Sequence, residues 1–168
     1  MGDRNSRNAL TIIFAGIAAG TLSTLAQLLL WAAAGEDAWT LLLRDAGLTA
    51  ALLPGQAAPA PSVGFDTGTM LAATDIHFAL SIAYAALLLP IAKRLAFTPS
   101  MFAGAGFGAA LYFVNLHGFT FIFPWFAQAR GGITLAAHLA FGIAVMLTYR
   151  WLGVIAARDA RDGQRLRC

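Results

Sequence analysis

His77 and His138 are the residues in this chain best suited to chemistry, because each imidazole sits within a long apolar stretch. Small and polar residues recur around them at helical spacing. The stripes read Gly16, Gly20, Ser23 and Gln27; Thr74, His77, Ser81 and Tyr84; Gly104, Gly108, Tyr112 and Asn115; Thr134, His138, Gly142 and Tyr149. At 1.5 Å per residue, Gln27, His77, Asn115 and His138 all fall about 9–12 Å from one end of their segments. They predict one polar layer of two imidazoles and two amides, with Ser81, Tyr84 and Tyr112 beside it. Such a layer could relay protons or hold a quinone or another small polar solute. Two facing imidazoles could instead ligate a haem iron or another metal. The third reading is interhelical glue, since polar side chains in membranes can simply bond across helices, for about 0.6–2 kcal/mol.

Asp75 and His117 lie off these stripes. Each is two residues, or about 200°, from a stripe member. Either they meet between the second and third apolar segments, or both reach separately into the headgroup layer. The run Gly104-x-Gly106-x-Gly108 lacks the strand and the downstream acid of a dinucleotide fingerprint, so helix packing accounts for it better. The sequence contains no nucleophile-and-base arrangement and no phosphate loop, and it predicts no catalytic residue.

The elements that position these groups follow from composition. The chain has 168 residues, 59% hydrophobic and 11% charged, with mean hydropathy +0.70. Soluble domains carry about 25% charged residues, so most of this surface faces something other than water. A helix needs about 20 mostly apolar residues to cross a bilayer. Spans are expected over residues 9–34, 70–92, 100–123 and 132–157, in a single membrane domain. Pro99 and Pro124 set the limits of the third. The second carries one charge, Asp75. Backbone polar groups in lipid must be paired internally, which favours helices. Cys168 is the lone cysteine, so no intrachain disulfide can form.

Nine of the eleven lysines and arginines flank one side of these spans; Arg44 and Arg130 flank the other. The excess predicts both termini in the cytoplasm of a bacterial inner membrane. The basic residues lie at the ends of apolar runs, as topology signals do, and give no nucleic-acid footprint. Trp31, Trp39 and Trp125 are expected at the outer interface and Trp151 at the inner one. Arg4, Arg7 and Ala32-Ala33-Ala34 also resemble a secretory signal peptide. The apolar stretch is much longer than the 7–15 residues usual there, which favours an uncleaved span.

The outer segment, residues 35–69, begins with an amphipathic stretch. Trp39, Leu42, Leu43, Ala46, Ala50 and Leu53 share one helical face, with Asp37, Arg44 and Asp45 away from it. A short helix lying in the membrane interface is expected, followed by an irregular loop rich in proline and glycine. The two halves of the chain also align. Phe14-Ala15-Gly16-xxx-Gly20 matches Phe102-Ala103-Gly104-xxx-Gly108, and His77-x-Ala79-x-Ser81-Ile82-Ala83 matches His138-x-Ala140-x-Gly142-Ile143-Ala144. The expected fold is thus an all-α four-transmembrane-helix bundle made of two tandem helical hairpins, related by an axis along the membrane normal.

The order Gly16-xxx-Gly20-xx-Ser23, His77-xxx-Ser81-xx-Tyr84, Gly104-xxx-Gly108, Gly118-Phe119-Thr120, Phe123-Pro124-Trp125 and Ala137-His138-Leu139 resembles the YagU-type family of small bacterial inner-membrane proteins. The likeness covers most of residues 14–145. It implies an inner-membrane protein without an established catalytic mechanism, loosely linked to acid tolerance. Some short proteins similar to this one carry a sodium:proline symporter label, but such carriers need many more helices with broken segments at the substrate site. The expected function is non-enzymatic: envelope homeostasis, or small-solute or proton handling through the polar layer, with a homo-oligomer as one form of assembly. The alternatives are a haem or metal redox protein using His77 and His138, and a purely structural membrane subunit. The expected partner is the lipid bilayer, and no cofactor is required by the leading reading.

Overall fold

The computed structural model describes residues 2–53 and 64–154. Five α-helices carry the fold: α1 (Gly2–Ala33), α2 (Ala38–Ala50), α3 (Thr67–Ala92), α4 (Phe97–Phe113) and α5 (Gly132–Trp151). Four stretches are long and apolar enough to cross a membrane: Asn5–Ala33, Thr67–Ala92, Phe97–Phe121 and Gly132–Trp151. Their outward faces expose Leu10, Leu29, Leu71, Leu87 and Phe102. Water would penalise such a surface, whereas lipid would solvate it. The irregular loop is expected over residues 54–69; its residues 54–63 and the arginines beyond residue 154 lie outside the described residues.

Local chemistry sets the helix ends. Gly35 at φ +78° and Gly153 at φ +77° each adopt the left-handed conformation that glycine tolerates. Around the first, Glu36 N–H donates to Trp31 C=O at 3.0 Å and Gly35 N–H to Ala32 C=O at 3.1 Å. Val154 and Gly153 repeat this pattern onto Tyr149 and Arg150. Both are Schellman caps, which satisfy the last carbonyls of a helix. The second corrects the expectation that the fourth span continues toward residue 157: α5 ends at Trp151. α3 starts three residues before the expected Met70, because the Asp66 carboxylate accepts Thr69 N–H at 2.7 Å as an N-cap.

The third span departs furthest from expectation. α4 begins at Phe97, with Pro99 inside its first turn, where a missing N–H costs nothing. It does not continue as an α-helix to residue 123. A π-turn over Val114–Gly118, a 3-10 turn over Phe119–Phe121 and a second 3-10 segment over Pro124–Ala129 follow it. The Arg130 side chain closes this irregular stretch. Its Nε donates to Leu116 C=O at 2.7 Å and its Nη2 to Thr120 Oγ1 at 2.9 Å. A carbonyl left without a helical partner is thereby satisfied.

The packing is closest between α4 and α5, between α1 and α5, and between α1 and α3. Glycines permit these approaches. A Cβ on Gly16 would lie 2.6 Å from Ile82 Cα, and one on Gly104 or Gly108 would run into the backbone of Gly142 or His138. The core between the helices contains Ala15, Ala19, Ala85, Leu88, Val145, Met146 and Tyr149. The Tyr149 hydroxyl donates to Ala85 C=O at 2.7 Å, tying α5 to α3.

α2 packs against α3 and α1 and buries Leu43, Ala46, Gly47 and Leu48. Leu48 joins Tyr112, Leu116 and Ala129 in a second small core at that end of the bundle. The buried face therefore differs from the expected one. Trp39 and Leu53 are exposed, and Asp45 is turned toward α1. Among the tryptophans, Trp31 is only 6% exposed and packs inside the protein, whereas Trp39 and Trp151 face outward. Trp125 is half-buried and donates from Nε1 to Leu48 C=O at 3.2 Å.

Candidate functional site

The stripes predicted from spacing turn inward almost throughout. Gly16, Gly20, Ser23, Ser81, Gly104, Gly108, Tyr112, Thr134, Gly142 and Tyr149 are buried, and Gln27, His77, Tyr84, Asn115 and His138 are half-buried. Thr74 is the exception; it is exposed near the start of α3. Small residues at these positions let polar side chains of one helix reach the backbone of the next.

His77 lies across the face of α1. A Cβ on Gly20 would stand 3.1 Å from His77 Nε2 and 2.8 Å from Ser81 Oγ, so only glycine leaves room for both. His77 Nε2 is 3.5 Å from Thr24 Oγ1, and Gly20 C=O is also within its reach. The Thr24 hydroxyl donates its proton to Gly20 C=O at 3.0 Å, as does that of Ser23. The Thr24 oxygen and the Gly20 carbonyl are left as acceptors, so His77 must donate from Nε2. In the neutral ring Nδ1 then keeps the lone pair.

His138 is arranged in the opposite sense. Its Nδ1 lies 2.8 Å from Thr134 C=O, one turn back in α5. A carbonyl only accepts, so Nδ1 carries the proton and Nε2 keeps the lone pair. The two rings are near enough to interact electrostatically. The Tyr112 ring meets the His138 ring edge-on, with centroids 5.7 Å apart. The Tyr112 hydroxyl accepts Gly131 N–H at 3.2 Å. His77 Nδ1 and His138 Nε2 are thus the two nitrogens able to take a proton or coordinate a metal.

The amides of the expected layer point elsewhere. Gln27 Nε2 donates to Asp45 Oδ2 of α2 at 3.3 Å. The Asn115 side chain, carried on the π-turn, accepts from the Tyr84 hydroxyl at 2.9 Å. The structure therefore sets Thr24 and Ser81 beside His77 and Tyr112 beside His138. It places Tyr84–Asn115 and Gln27–Asp45 as two flanking links. Asp75 and His117 are both exposed, and no ion pair or hydrogen bond joins them among the described residues. His117 instead packs its ring against Tyr112 and Phe113, with centroids 5.6 Å and 5.5 Å away.

Three contributors were not legible beforehand. Thr24 lies one turn beyond Gly20, a spacing that could have marked it. Asp45, expected away from the packed face of α2, instead bonds to Gln27 of α1, and one residue of register is about 100°. Its carboxyl is raised above the ordinary carboxylate range by burial, against the opposing pull of Arg44 and Gln27. The π-turn had no sequence signal. The chain matches no protein-family model, no curated protein and no solved structure.

Proposed function

We propose that this protein is a non-enzymatic, multi-pass protein of the bacterial inner membrane, with both termini cytoplasmic, that handles a proton or a small polar solute through the cluster around His77 and His138. One observation carries the reading. Two half-buried imidazoles from different helices stand within electrostatic range, in opposite tautomers, each with one ring nitrogen left to accept. Ionisable groups inside a membrane segment are costly, and by default they mark a pathway or a site. Thr24, Ser81 and Tyr112 supply hydroxyls beside them.

A tandem repeat of two hairpins accounts for why the histidines occur at matching places. Gly20 lies against the His77 side chain and Gly108 against the His138 backbone, so the second glycine of each repeated Gly-xxx-Gly pair faces that hairpin's histidine position. On this reading α2 and the loop after it are an insertion in the first hairpin, lying at the outer interface. Two copies of a hairpin suit a symmetric polar site on an axis along the membrane normal. The resemblance to YagU-type proteins points the same way, toward an envelope role in acid conditions.

The haem alternative needs both lone-pair nitrogens directed at one iron. His77 Nε2 points into α1 beside Gly20, and His138 Nδ1 is bonded back to Thr134 C=O in its own helix. A structural metal site takes three or four ligands, and no group of three metal-ligating side chains is present among the described residues. The geometry favours proton or solute handling over either. Proteoliposomes containing the full chain, loaded with a pH-sensitive dye, test it. Proton or solute flux should fall in His77→Gln and in His138→Gln. Unchanged flux in the double variant would leave a purely structural subunit as the reading.

A further inference from the structure

We propose that the depression beside the π-turn, bounded by His117, Thr120 and Arg130, binds the phosphate ester of an anionic phospholipid. It is an open cavity of about 600 Å³ where the third membrane-length stretch ends at Phe121. No acidic side chain lines it among the described residues. It is separate from the histidine cluster and does not depend on that cluster's role.

The donors there are held in place. Bonds from Arg130 Nε to Leu116 C=O and from Nη2 to Thr120 Oγ1 fix the guanidinium against the turn. Its Nη1 edge makes no hydrogen bond among the described residues, so two N–H groups remain for a ligand. The His117 ring is steadied by Tyr112 and Phe113 and makes no ring hydrogen bond among the described residues. A guanidinium edge with an adjacent imidazole N–H suits the oxygens of a phosphodiester. The neighbouring start of α5 has no side-chain cap, so its positive dipole end adds to the field.

The rim selects a lipid over a free anion. Phe121, which lines the depression with Arg130, is 92% exposed, and Ile122, next in the chain, is 69% exposed. Such side chains at the end of a span lie along acyl chains, while the guanidinium sits at headgroup level. A soluble phosphate would have no use for them.

Native mass spectrometry of the delipidated full chain, titrated with phosphatidylglycerol or phosphatidylcholine, tests this. Wild type should retain phosphatidylglycerol about fivefold more strongly, the effect of one well-placed cation at a membrane surface. Arg130→Gln should abolish the preference. That change also removes the bonds to Leu116 and Thr120, so His117→Ala is measured beside it and should weaken the preference without loss of helix content. Equal retention of the two lipids by wild type overturns the proposal. So does a preference that survives in His117→Ala and in the double variant. Displacement of phosphatidylglycerol by equimolar inorganic phosphate would reveal a simple anion site and overturn the lipid assignment.

Discussion

The Tyr84 hydroxyl donates to Asn115 Oδ1 across 2.9 Å, joining α3 to the π-turn that follows α4. α3 and α4 otherwise touch little along their lengths. This bond therefore fixes the one side of the bundle that close glycine packing does not. Tyr84→Phe and Asn115→Leu should each lower stability by about 0.6–2 kcal/mol. Their double variant should be less destabilised than the sum, since both remove one interaction. Thermal unfolding in detergent reads the cycle, and strict additivity would show that the bond contributes nothing.

Glycine position should matter more than glycine number. A Cβ at Gly108 would meet the His138 backbone, whereas one at Gly106 would meet nothing within 4 Å among the described residues. Gly108→Ala should separate α4 from α5 and cost about 1–3 kcal/mol, the usual range for overpacking. Gly106→Ala should be neutral or stabilising by up to about 1 kcal/mol, from better helix propensity. Equal effects on the melting temperature would contradict the backbone-to-backbone crossing.

Asp45 should give the seating of α2 a distinctive dependence on pH. Its side chain is 23% exposed, and burial raises its carboxyl above the ordinary 3.8. A raised carboxyl costs nothing while protonated, so this contribution is best below pH 3.8 and is lost as pH rises through the folded-state value. Asp37 and Asp66, the caps of α2 and α3, behave oppositely. Hydrogen bonds from Thr40 and Thr69 hold them low, so their contribution disappears as pH falls through the lowered values. Asp45→Asn should remove only the first effect. Stability measured from pH 3 upward should show wild type losing ground to the variant as pH rises. A constant difference between the two would refute the burial of Asp45.

Trp125 should hold α2 from the other side. Its Nε1 donates to Leu48 C=O in α2 at 3.2 Å. Trp125→Phe keeps a ring but loses the donor, and a neutral hydrogen bond contributes about 0.5–1.5 kcal/mol. Amide hydrogens of α2 should exchange several-fold faster in the variant, while those of α5 keep their protection. Unchanged exchange in α2 would mean that its docking rests on Leu43, Ala46 and Leu48 alone.

The glycine stripes show how far spacing carries. Gly16, Gly20, Gly104 and Gly108 were readable as contact faces because helix periodicity puts residues four apart on one side. His77 and His138 were readable with them, and the structure sets both at glycine crossings. Gln27 and Asn115 have the same periodicity, yet bond to Asp45 and Tyr84. Long polar side chains choose among several partners within reach, and depth along a helix does not specify direction around it.

The apolar run lengths alone required four membrane-length helices, since a chain in lipid must satisfy its backbone within each segment. The caps at Gly35, Asp66 and Gly153 are equally local, because each needs only its own turn. Tertiary packing decided the rest. The π-turn at Val114–Gly118, its closure by Arg130 and the inward rotation of Asp45 depend on groups distant in sequence. A register change of one residue rotates a side chain by about 100°, and only the neighbouring elements determine which register is kept.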